Sequence, residues 1–105
     1  NKIQKPILPN EIYIGNALIN FKKLFIKINK KIIKINPQER KVLEKMLESP
    51  GKVFSRDNIR KIINISKERT IDVIITRLRQ KIESKPKKPK YLQTIRGSGY
   101  VLWIK

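Results

Sequence analysis

The segment SKERTIDVIITRLRQKIE, residues 66–83, leaves the chain little freedom. Ile71, Ile74, Ile75, Leu78 and Ile82 recur at the spacing of one helical face, so they form an apolar stripe that other elements must cover. Ser66 stands where an N-cap hydroxyl would accept from an orphan amide, and Glu68 lies near the positive end of the helix dipole. The opposite face carries Arg69, Val73, Thr76, Arg77 and Gln80. A guanidinium fork, a small apolar group, a hydroxyl and an amide are the groups that read base edges in a DNA major groove. A basic helix taken alone is more often a core helix with a solvated back. The rest of the chain shifts that balance.

Charge is the first reason. Twenty-six Lys and Arg against eight Asp and Glu give +18 over 105 residues. Such a field attracts polyanions, nucleic acid first among them, with membrane surfaces and acidic proteins as the other partners of that sign. Part of the Lys, Ile and Asn excess is what an AT-biased genome would produce, which discounts the charge as evidence. The chain has neither Cys nor His, so disulfides, thiolate metal sites and imidazole bases are excluded, and no cofactor is expected. Apolar runs such as 12–14 and 24–26 are too short to cross a bilayer, so no membrane partner is expected.

The order of elements is the second reason. Residues 1–10, NKIQKPILPN, carry two prolines and read as a linker or tail, with one domain over 11–105; the start at Asn1 fits a piece of something longer. Ile12 to Ile14 and Ala17 to Phe21 flank the turn signal Gly15-Asn16, and Leu24 to Ile28 and Lys31 to Ile35 flank Asn29-Lys30. These runs predict an antiparallel sheet of about four strands. Asn36-Pro37-Gln38-Glu39 predicts a capped helix with Val42, Leu43, Met46 and Leu47 inward, stopped by Ser49-Pro50-Gly51. After the apolar pair Val53-Phe54, Ser55 caps a second helix with Ile59, Ile62 and Ile63 inward, running to about Asn64. Only Ile65 and Ser66 separate it from the basic helix, which is a helix-turn-helix arrangement. Ser84 to Lys90 breaks the third helix with two prolines; its lysines form a solvated run with little weight as phosphate contacts. Tyr91 to Ile95 and Tyr100 to Ile104 then predict a hairpin around Arg96-Gly97-Ser98-Gly99.

Three stretches carry a resemblance to a known family: Phe54 to Asp57 (FSRD), Arg69 to Arg79 (RTIDVIITRLR) and Tyr91 to Val101 (YLQTIRGSGYV). In this order they resemble the C-terminal effector domain of the OmpR/PhoB class of bacterial two-component response regulators, over essentially residues 11–105. The resemblance implies an α+β fold, a winged helix-turn-helix with an N-terminal four-stranded antiparallel sheet, three helices and a C-terminal β-hairpin wing. It implies a cytoplasmic regulator of transcription that binds double-stranded DNA sequence-specifically. The third helix, about 67–84, would enter the major groove, and the wing, 91–104, the adjacent minor groove.

By position, the resemblance makes Val73 and Arg77 base readers and gives Arg69, Thr70 and Arg79 backbone or orienting contacts. Arg96 becomes the wing-tip arginine, and Thr94, Gly97 and Tyr100 become phosphate-contacting positions. Elementary chemistry agrees: Arg77 can pair bidentately with guanine, Val73 can meet a thymine methyl, and Arg96 suits a narrow AT-rich groove. Gly97 and Gly99 supply the backbone freedom of a tight tip, and Gly97 lets an amide approach a phosphate. Structural readings stand beside these. Arg69 and Arg79 have Asp72, Glu68 and Glu83 at helical spacing, and Tyr100 and Trp103 suit core packing, the preferred reading for Trp103.

The implied partners are direct-repeat half-sites, a homodimer on DNA, a receiver domain ahead of this segment, and RNA polymerase. The loop that relatives use against polymerase is about four residues shorter here, with Asn64 where an aromatic would stand, which leaves repression or another route to activation open. Ile74 and Thr76 replace residues seen in some relatives, so a target sequence does not transfer. A basic RNA-binding domain or a protein-interaction winged helix would also carry the charge. The RNA reading lacks the stacking aromatics of single-strand binders, and no nucleophile-base pair or carboxylate dyad suggests an enzyme.

Overall fold

The computed structural model describes residues 10–64 and 68–104, with residue 68 described by its backbone alone. The N-terminal linker over 1–9 and the Ser66 cap lie outside the described residues. Four strands come first: β1 (Glu11–Ile14), β2 (Ala17–Asn20), β3 (Phe25–Ile28) and β4 (Lys31–Lys34). They pair antiparallel in chain order. The two-residue turn at Asn29-Lys30 has both residues at positive φ, 50° and 68°, the geometry that matches the twist of tight hairpins. Pairing of Tyr13 with Leu18, Leu18 with Lys27 and Lys27 with Ile32 puts these side chains on one face. The other face turns Ile14, Ala17, Ile19 and Ile26 into the core.

Helix α1 (Pro37–Glu48) begins in a complete capping box. The Asn36 side chain accepts from the Glu39 amide at 2.8 Å, and the Asn36 amide donates to Glu39 Oε1 at 3.0 Å. Such a cap contributes about 0.5–2 kcal/mol. Val42, Leu43, Met46 and Leu47 are buried as their spacing predicts. Glu39 is buried too, and its carboxylate meets Lys81 Nζ at 2.6 Å, a contact 42 residues away in sequence. Strand β5 (Val53–Phe54) leads into α2 (Arg56–Ile63), which Ser55 caps by accepting from Asn58 at 3.0 Å. Asn64 closes α2 in the left-handed conformation, φ 53°.

Helix α3 (Glu68–Ile82) ends two residues before the close of the stretch expected from sequence, about 67–84, whose first residue lies outside the described residues. Ile71, Ile74, Ile75, Leu78 and Ile82 are all buried, and they join the same core as Ile19, Ile26 and Leu43. Burying each such side chain stabilises the fold by about 1.5–3 kcal/mol relative to leaving it in water. The chain ends in β6 (Leu92–Ile95) and β7 (Gly99–Leu102). These form a three-stranded sheet in the order β5-β7-β6, with Val53 opposite Val101 and Phe54 opposite Tyr100. The hairpin is therefore not free: a two-residue strand ahead of α2 ties it to the helices. Trp103, expected to pack into the core, is exposed instead, and its indole N–H donates to Gln93 Oε1 at 3.1 Å on the hairpin surface.

Candidate nucleic-acid interface

Because α3 buries the stripe containing Ile71, Ile75 and Leu78, its opposite face must point outward. Arg69, Val73, Thr76, Arg77 and Gln80 are all exposed there, and Thr70 is half buried at the edge. Arg69, Val73, Thr76, Arg77 and Gln80 border one shallow surface, open enough for a flat or grooved partner. Beside it stands the hairpin, whose tip residues Arg96, Gly97 and Ser98 are exposed. A second groove runs between this tip and the start of α2, with Ser55 and Arg56 on one side and Thr94, Arg96 and Gly97 on the other.

Two joints hold the hairpin against α3. Arg79 donates through Nε to the Leu92 carbonyl at 2.8 Å and through a terminal nitrogen to Thr94 Oγ1 at 2.7 Å. Its guanidinium also lies 5.8 Å from the centre of the Tyr100 ring. Arg79 thus orients the β6 strand, and Thr94 is engaged by it. The second joint is Asp72, which receives the Tyr100 hydroxyl at 2.6 Å and Arg56 at 2.7 and 2.8 Å. One carboxylate on α3 therefore binds the first residue of α2 and the returning strand of the hairpin.

The electrostatics follow from this joint. Burial, then donation to Asp72, pushes the Tyr100 hydroxyl above the usual phenol range. Hydrogen bonding to Tyr100 and Asp72 holds the Arg56 guanidinium above its ordinary value. Tyr100 is buried, so its ring packs in the core while its hydroxyl is spent on Asp72. Helical spacing offers Asp72 only Arg69 as a basic partner. Its actual partners come from α2 and β7. Arg56 carried no functional weight in the sequence, although it stood in a motif stretch.

The Asp72 joint makes an expected result. Asp72→Ala strips the acceptor from the part-buried Tyr100 hydroxyl and the partner from Arg56; Asp72 is itself part exposed, so water replaces some of the loss and a cost of about 1 kcal/mol is expected. Tyr100→Phe leaves Asp72 paired with Arg56 and should cost less. Urea denaturation of the two variants compares them directly, and equal losses would show that Asp72 is not the joint described.

Residues 29–102 match the family model described as "Transcriptional regulatory protein, C terminal". The chain is 37% identical over 95 residues to the heme response regulator HssR of Staphylococcus epidermidis, covering 87% of this chain and 42% of that protein. Among solved structures it resembles the Thermotoga maritima response regulator DrrB, an OmpR/PhoB homolog, with TM-score 0.77 and 27% identity over 90% of this chain and 44% of that one. It also resembles the DNA-binding domain of the response regulator AdeR in complex with an intercistronic region, with TM-score 0.68 and 29% identity over 87% of this chain and 97% of that one. The chain spans less than half the length of the curated relatives it matches first.

Proposed function

Since the chain belongs to the transcriptional regulatory protein C-terminal family, of the OmpR/PhoB response-regulator type, we propose that it binds duplex DNA sequence-specifically and regulates transcription. The observation that carries this reading is the outward row of α3, where Val73 and Arg77 stand clear beside a hairpin pinned to the same helix. The AdeR domain, described as bound to an intercistronic region, supports the reading by its likeness to this chain. Arg77 reads a guanine through its O6 and N7, and Val73 contacts a thymine methyl. Arg69 and Thr70 contact the backbone on one side of the helix, with Thr76 and Gln80 on its groove-facing row. Arg96 at the hairpin tip enters the adjoining minor groove, where a narrow AT-rich track concentrates negative potential. Gly97, at φ 79° with open space around it, brings an amide to the neighbouring phosphate.

Relatives longer than this chain suggest the remaining partners. A receiver domain ahead of residue 11 would control the domain, and two copies would sit on direct half-sites spaced about one turn of DNA, ~10–11 bp. Contact with RNA polymerase would have to use a shorter connection between α2 and α3 than in most of the family.

Selection of bound sequences from random duplexes tests the reading, because direct repeats should accumulate with that spacing. Arg77→Ala should then lose about 1–3 kcal/mol of discrimination at one base pair. The ratio of affinities for selected and random duplex measures it. An unchanged ratio would remove Arg77 from the base readers.

A further inference from the structure

The chain carries a lysine-rich turn that the proposed reading leaves unused. Ser84 to Lys90 follows α3 and holds Lys85, Lys87, Lys88 and Lys90, all exposed. In sequence this is a solvated run. In the structure it is a held turn. The Lys88 amide donates to the Lys85 carbonyl at 2.8 Å. At its far end the buried carboxylate of Glu83 accepts the amides of Lys90, Tyr91 and Leu92 at 2.7 to 2.9 Å. Pro86 and Pro89 fix φ within it. A turn ordered in this way has little conformational freedom left to lose on binding.

Its position matters more than its charge. Lys85, Lys87 and Lys88 line a cleft whose other wall is Thr76, Arg79 and Gln80. Thr76 and Gln80 also border the shallow surface that presents Val73 and Arg77. One row of α3 thus has base-reading groups on one side and lysines on the other. Among the described residues the carboxylates are engaged elsewhere: Glu11 by Asn20, Glu39 by Lys81, Glu44 by Arg40, Glu48 by Lys45, Asp57 by Arg60 and Lys61, Asp72 by Arg56, and Glu83 by the backbone amides named above. Among the described residues, Lys85, Lys87 and Lys88 make no ion pair. The C-terminus of a helix repels anions, and three unneutralised cations reverse that sign at this end of α3.

We propose that the Lys85–Lys88 turn is a preformed seat for the phosphodiester backbone of the duplex that α3 reads, extending the footprint beyond the end of that helix. The proposal rests on the duplex-binding reading above. Lysines are mobile point charges rather than planar forks, so the seat adds affinity without choosing a sequence. It sets register along the groove and raises the salt dependence of binding.

The test compares two variants that lose the same charge. Lys85→Gln/Lys88→Gln removes two members of the seat. Lys27→Gln/Lys34→Gln removes two lysines from the outer face of the N-terminal sheet, where both are exposed and turned from the core. Each is titrated against a selected and a random duplex from about 50 to 200 mM salt. Each lost phosphate contact lowers the log-log salt slope by about 0.9, so the seat variant should lose roughly tenfold less affinity than wild type across that range. Its affinities for selected and random duplex should fall by the same factor at low salt, and the sheet variant should change much less. A wild-type chain that binds duplex while the two variants behave alike overturns the seat alone. A wild-type chain that binds no duplex overturns the duplex reading and the seat together.

Discussion

Gly99→Ala is expected to lower stability by more than about 3 kcal/mol, because both the conformation and the space at this position exclude a side chain. Gly99 sits at φ 141°, in a region that residues with a Cβ rarely enter. A Cβ there would overlap the Phe54 carbonyl oxygen and lie 2.8 Å from the Ser55 Cα. Those atoms are backbone, so they cannot swing aside as a side-chain tip can. Moving them separates β7 from β5 and displaces Ser55, the cap of α2, and Arg56, which meets Asp72. The damage should therefore reach the joint between the hairpin and α3 as well as the fold. A domain of this size loses about 4–8 °C in melting temperature per kcal/mol, so a fall of at least roughly 12 °C is expected. Gly97→Ala is the internal control. Gly97 has positive φ but nothing within 4 Å of its missing Cβ, so only backbone strain applies, about 1–2 kcal/mol. Thermal denaturation followed by circular dichroism separates them, and melting points within a few degrees of each other would refute the close approach at Gly99.

The same two glycines mark what could be read without coordinates. Both stand in Arg96-Gly97-Ser98-Gly99 and suggested turn freedom equally, because a turn is a local event. That role belongs to Gly97. The role of Gly99 depends on β5, a strand of two residues with no periodicity of its own, defined only by pairing with Val101 and Tyr100. Local signals were legible throughout: the Asn36 and Ser55 caps, the Asn29-Lys30 turn and the buried stripe of α3 follow from residues within a few positions of one another. The outward face of α3 was legible for the same reason, as the complement of that stripe. The joints were not. Asp72 meets Arg56 and Tyr100, 16 and 28 residues away, and Arg79 meets Thr94, 15 residues away. Helical spacing offered nearer partners for both, and only tertiary packing decides between them. Which side chains α3 turns outward is thus readable from sequence, whereas what holds the hairpin beside them is not.

Glu83 sharpens that point and leads to the second large effect. At helical spacing it looked like a partner for Arg79. Instead its Oε1 accepts the Lys90 amide at 2.8 Å, and its Oε2 accepts Tyr91 at 2.9 Å and Leu92 at 2.7 Å. One buried carboxylate thereby satisfies three successive backbone donors where the chain leaves the lysine turn and enters β6. Glu83→Ala would leave those donors without acceptors, and each one that stays buried costs about 1–3 kcal/mol. Water would reach the Lys90 amide, which lies at an exposed residue, and would spare part of the loss. A net destabilisation of about 3 kcal/mol or more is expected. Glu83→Gln keeps the size but replaces one acceptor oxygen with a donor that would face an amide, so it should recover only part. Amide hydrogen exchange distinguishes this role from general weakening. Protection at Lys90, Tyr91 and Leu92 should drop in both variants by more than it drops in α1, whose capping box does not involve Glu83. A uniform loss of protection across α1 and β6 would mean that Glu83 supports the core as a whole, and that the lysine turn is held by something else.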